Sequence, residues 1–104
     1  MNLTIQHPFE VEVHLPVRTY DIDFAGIVSN IVYVRWLEDL RLEMLARHFP
    51  LDEQLKNGIA PVIVQTQIDY KLPLRLGDIA IGKMWIKTME SLRLTVNAEI
   101  SVNG

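Results

Sequence analysis

The stretch Thr19-Tyr-Asp-Ile-Asp-Phe-Ala-Gly-Ile-Val-Ser-Asn30, with the apolar run that follows it to about His48, constrains the chain most. It reads as a strand end, a tight turn and a helix start. Gly26 supplies the turn, because glycine adopts positive φ without steric cost. Ser29 or Asn30 is placed to cap the helix. A helix start exposes unpaired N–H donors and the positive end of the helix dipole. Asp21 and Asp23 stand just before the turn. The sequence therefore sets an acid beside a natural anion site, which is what acyl-transfer hydrolysis requires.

The periodicity before and after this stretch defines an α+β chain. Phe9, Val11, Val13, Leu15 and Val17 alternate with polar residues, the mark of a half-buried strand. Pro16 cannot donate to a ladder and points to an edge or a bulge. From Asn30, Tyr33, Trp36 or Leu37, Leu40 and Met44 follow helical spacing and read as core. Ile31, Val32 and Val34 widen that face, so the first turns read as almost wholly buried. Arg35/Asp39 and Glu43/Arg47 are i, i+4 pairs on the other face. Pro50 ends the helix, and Leu51 to Asn57 reads as a short second helix closed by Gly58.

Val62 to Lys71 and Ile79 to Met89 read as the second and third strands, with Gly82 as a bulge. Glu90-Ser91 is a turn, and Leu92 to Val102 alternates as a fourth strand. Asn103-Gly104 is a strong hairpin signal. It leads to the expectation of one domain over residues 1–104, C-terminally incomplete. The order β-α-β-β-β fits an antiparallel sheet curled around one long helix.

Composition excludes several classes. A net charge of −3 argues against a nucleic-acid binder. The chain has no cysteine, so thiol nucleophiles and disulfides are excluded. Its three histidines form no metal motif, and no metal or other cofactor is expected. No apolar run reaches the roughly 18 residues of a membrane span, and no secretory leader is visible. The expectation is a cytoplasmic protein. A chain of this size buries a modest share of its surface, which favours self-association.

At Tyr20 to Val28, continuing through Tyr33 to Glu38, the sequence resembles the 4-hydroxybenzoyl-CoA thioesterase family of the hotdog-fold superfamily. The first motif is carried by Asp21, Asp23, Gly26, Val28, Tyr33 and Glu38. The second is carried by Tyr70, Pro73, Gly77 and Asp78. The resemblance implies a hotdog fold, a sheet wrapped around the helix. It also implies a homodimer or homotetramer with active sites at subunit interfaces, and hydrolysis of an acyl-CoA or acyl-carrier-protein thioester. It assigns catalysis to Asp23, with the backbone N–H at Asn30 as oxyanion donor. Two departures stand out. Many bacterial members carry His at the position of Asn30, and the family's final strand has no counterpart here.

On spacing alone, Asp21 and Asp23 would be read as turn-shaping residues. The two motifs move Asp23 to catalysis and leave Asp21 bonding the turn backbone. Gly26, Val28, Tyr33 and Glu38 are candidate substrate-binding residues. Tyr33 also reads as core, and Glu38 as a partner of Arg41. Lys71 and Arg75, with Arg93, are candidate contacts for CoA phosphates, although any one of them also reads as solvated charge. His48-Phe49-Pro50 resembles an element of hotdog dehydratases, but it follows the helix instead of preceding it. Dehydration is therefore disfavoured. The alternative to a hydrolase is a non-catalytic domain binding acyl-CoA or acyl-carrier protein.

Overall fold

A computed structural model describes residues 7–58, 62–91 and 93–102. Strand β1 (Val11–Pro16) is followed by a 3-10 turn (Thr19–Asp21), helix α1 (Asn30–His48), helix α2 (Leu51–Lys56), and strands β2 (Ile79–Met89) and β3 (Leu94–Val102). The three strands form one antiparallel sheet in the order β1-β2-β3. The class is α+β, as the periodicity predicts. The hairpin signal at Asn103-Gly104 lies outside the described residues.

Alternation explains β1. Val11 and Leu15 are buried and Val13 half-buried, while Glu12, His14 and Pro16 are exposed. Pro16 closes the strand at the sheet's edge, where a missing donor is tolerated. Phe9, expected on the same face, falls before the strand. Its backbone is left-handed at φ 56, which breaks the extended run. Its ring lies instead 5.3 Å from that of His48 and 5.2 Å from that of Phe49.

Helix α1 lies against the sheet along one row: Val32, Trp36, Leu40 and Met44 are buried. They divide between two apolar clusters. Val32 and Trp36 join Leu15, Val17, Val28, Leu74 and Ala80, whereas Leu40 and Met44 join Val11, Met84 and Ile86. The expectation of a nearly buried first turn fails. Ile31 is 75% exposed, and Val34 is also exposed. A sheet on one side of a helix covers one stripe, and the described strands leave the opposite side of the first turns open. The helix ends where Pro50 requires, with the Phe49 N–H bonded to Leu45 O at 2.9 Å.

Two further expectations are corrected. Val62–Lys71 alternates like a strand but takes no regular structure, and Val62 and Val64 are each 76% exposed. Alternation sorts side chains between two faces, whereas a strand also needs a neighbour for its N–H and C=O groups. No described strand pairs with this segment. Gly82 is not a bulge: it sits in regular register between Val13 and Ile100, and the irregularity falls between Ile86 and Thr88.

The reason for glycine at position 82 is close approach. A Cβ there would lie 2.8 Å from Leu15 Cδ1 and 3.1 Å from Leu40 Cδ1. Gly82→Ala is expected to destabilise the fold by about 1–2 kcal/mol, the cost of overpacking eased by side-chain movement. Urea unfolding at fixed protein concentration measures it, and an unchanged midpoint would show that Leu15 and Leu40 yield freely.

Candidate active site

The motif folds into a short hairpin that leads directly into α1. Ile22 and Val28 pair across its stem, and the Ser29 N–H donates to Asp21 O at 2.9 Å. At the tip, the Asp23 N–H donates to Ile27 O at 2.9 Å and the Gly26 N–H to Asp23 O at 3.0 Å. Gly26 takes φ 78, the left-handed conformation expected of it. This is the pattern of a three-residue hairpin loop closed by a left-handed glycine.

Asp23 is half-buried, and its Oδ1 accepts the Ala25 N–H at 2.8 Å. One carboxylate oxygen therefore shapes the turn. Ser29 occupies the N-cap with extended backbone, but its side chain makes no capping bond. Asn30 is the first helical residue instead of a cap, and no acidic side chain stands in the first turn. The helix start thus carries no side-chain cap over its opening amides. The Tyr70 hydroxyl reaches Asn30 O at 3.4 Å, a long bond.

Asp21 is the one charged side chain buried among the described residues, at 1% exposure. Its Oδ2 accepts the Arg18 N–H at 2.8 Å, as a turn-bonding role predicts. Its Oδ1 accepts from Arg35 Nη2. Sequence reasoning pairs Arg35 with Asp39 and misses this contact. The two residues are far apart along the chain, and helical spacing ranks only neighbours on the helix. Asp21 and Arg35 line a cleft of about 440 Å³ with Arg18, Tyr20 and Trp36, and Asp23 is not among its walls.

The remaining candidates scatter. Val28 is buried in the first apolar cluster. Tyr33 is half-buried, with ring centroids 5.5 Å from Trp36 and 5.4 Å from Tyr70 in edge-on contact. Burial pushes its phenol above the usual value, opposed by a hydrogen bond from the Leu74 backbone. The phenol therefore stays protonated at neutral pH. Glu38 pairs in bidentate fashion with Arg41, at 2.7 and 3.1 Å.

Arg75 is exposed, and its backbone pairs with Ile27, which sets it beside the hairpin. The second motif explains its placement. The Asp78 carboxylate accepts the Arg75 N–H at 2.8 Å, and the Asp78 N–H returns to Arg75 O at 3.1 Å. Lys71 and Arg93 are exposed, and no described contact brings either to the hairpin. The histidines lie apart, with His7 stacked on Trp85 at 4.1 Å and His14 3.7 Å from Glu12. Among the described residues no group of three or more His, Asp or Glu could hold a metal ion, and no helix is long and apolar enough to cross a membrane.

Comparison with known proteins agrees with this architecture. Over 84 residues the chain is 33% identical to the chloroplastic acyl-acyl carrier protein thioesterase ATL3 of Arabidopsis thaliana, covering 80% of this chain and 44% of that protein. Over 92 residues it is 34% identical to the acyl-CoA thioester hydrolase YbgC of Escherichia coli O157:H7, covering 81% and 69%. The chain spans 44% of the length of the first of these relatives, and 51% of that of a third, from Synechocystis, to which it is 29% identical, about half in each case. A thioesterase from Thermus thermophilus, solved with coenzyme A and zinc, superposes with a TM-score of 0.80 at 25% identity, covering 96% of this chain and 72% of that one. The shared architecture is the hotdog fold. The thioesterase-like superfamily profile matches residues 17–104, and the chain belongs to that superfamily.

Proposed function

We propose that the protein hydrolyses acyl thioesters of CoA or of acyl-carrier protein, and that within the superfamily it stands with the 4-hydroxybenzoyl-CoA thioesterase type. One observation carries the reading: an acidic hairpin tip and an uncapped helix start leave the same short stem. The names of the relatives support it, since they describe an acyl-CoA thioester hydrolase and an acyl-acyl carrier protein thioesterase.

In this mechanism Asp23 Oδ2 takes a proton from water as the water oxygen attacks the thioester carbonyl carbon. The developing oxyanion is met by the N–H at Asn30, a donor of a kind that is worth roughly 3 kcal/mol. The carbon–sulfur bond then breaks, and the leaving sulfur takes back the proton held by Asp23, which frees the thiol and restores the carboxylate. Direct attack by the carboxylate, through an anhydride that water opens, uses the same atoms. Arg75, held beside the hairpin by its backbone pairing with Ile27, is the proposed contact for phosphates of the carrier. Gly26, Val28, Tyr33, Glu38 and Lys71 complete the proposed substrate set, Val28 from the core side.

A homodimer or homotetramer fits the exposed apolar residues, which include Phe24 at the hairpin tip, Ile31 on the first helical turn and Val62–Val64. A second reading, acyl binding without hydrolysis, draws on the Asp23 Oδ1 bond to Ala25. Thiol release from a panel of acyl-CoA and acyl-carrier-protein thioesters separates the two. The protein has no cysteine, so a thiol reagent reports product alone. Turnover of at least one member is expected. Saturable binding with no turnover across the panel would overturn the hydrolase.

A further inference from the structure

A buried carboxylate is costly unless it is fully compensated, and a hairpin stem alone does not call for one. The Asp21 carboxylate is compensated at both oxygens, and its backbone is tied as well. Its Oδ2 accepts the N–H of Arg18, two residues past the end of β1, and its Oδ1 accepts from Arg35 in the second turn of α1. Its backbone O accepts the Ser29 N–H at the N-cap, 2.9 Å away, and its own N–H returns to Arg18 O at 2.9 Å. One residue thus joins the strand, the hairpin stem, the N-cap and the helix. Asp23 lies two residues further along one arm, and the helix-start amides lie at the end of the other. Arg35 remains 54% exposed, so its guanidinium bridges the buried acid and the open cleft.

We propose that Asp21 and Arg35 are the positioning pair of the site: they fix the angle between the hairpin that carries Asp23 and the helix start that receives the oxyanion. The proposal rests on the hydrolase reading of Asp23. Neither residue touches the reacting atoms; both act through Asp23 and the Asn30 amide. Misplacement by about 1 Å can cost a site on the order of 100-fold in rate.

The test is steady-state kinetics of the full chain on the thioester it turns over best, with Asp21→Asn, Arg35→Met, Asp23→Asn and the Asp21→Asn/Asp23→Asn double variant. Val11→Ala, a core change in the other cluster, controls for lost stability. Circular dichroism checks folding, and Arg35→Met carries the test if Asp21→Asn does not fold. The expected result is a fall in kcat of about 10–100-fold for both pair variants, with KM within about twofold. The double variant is expected to be no slower than Asp23→Asn alone, because residues acting as one unit are not additive.

Wild-type kcat in Asp21→Asn and Arg35→Met, or losses no larger than that of Val11→Ala, would overturn the pair while leaving Asp23 in place. Independent multiplication of the Asp21 and Asp23 effects would do the same. Full activity of Asp23→Asn would overturn the base assignment and the pair with it.

Discussion

Replacing Asp23 with Asn is expected to lower kcat by about 10³-fold, within the range attributed to a positioned general base. The amide keeps the shape of the side chain and the oxygen that accepts the Ala25 N–H. The hairpin should therefore survive, and unfolding should shift by less than about 1 kcal/mol, the worth of a single neutral hydrogen bond. What is lost is an oxygen able to take a proton from water. The discriminating result is a large loss of turnover at near-constant KM and an unchanged urea midpoint. Near-wild-type hydrolysis would reassign the hairpin carboxylate to the turn alone.

The second large effect is on the core. Leu40→Ala is expected to destabilise the fold by about 3–4 kcal/mol, near the middle of the range for emptying a leucine site. Leu40 is 0% exposed and sits among Val11, Met44, Met84 and Ile86. Its methyl carbons lie over Gly82, which has no side chain with which to fill the hole. The surrounding atoms cannot collapse onto the void, because the helix above and the ladder below are each fixed by backbone bonds. For a domain of this size the loss corresponds to roughly 12–32 °C in Tm. A drop of less than about 1 kcal/mol in urea unfolding would mean that the helix settles into the space.

Much of this structure is legible in the residues. The boundaries of α1, the left-handed glycine at 26, the whole of β2 and the edge position of Pro16 each follow from a local rule. Local rules describe spacing and turn chemistry, and those features depend on close neighbours. They fail where a partner from elsewhere decides. Val62–Lys71 alternates as well as β1 does, yet only β1 finds a paired neighbour among the described strands. Gly82 reads as a bulge because a glycine in a strand has two common causes, and its real cause is the close approach of two leucines, Leu15 on the neighbouring strand and Leu40 on the helix. Arg35 reads as the partner of its helical neighbour because the acid that holds it lies across the hairpin. In the site itself, the turn and the helix start are visible from the motif. The uncapped state of that start is not, since Ser29 has the right chemistry for a cap that it does not make.

The bare backbone at Gly82 has a mechanical corollary. With no methyl group at that point, Leu40 rests almost directly on the ladder, so the helix rides low over the sheet at its middle. The hairpin is joined to the near end of the same helix, and its elevation is inherited from this contact. Substituents introduced on the strand would act as a shim, tilting the acidic loop without altering any atom within it. The attitude of that loop can then be adjusted from a layer of the molecule that lies wholly outside it.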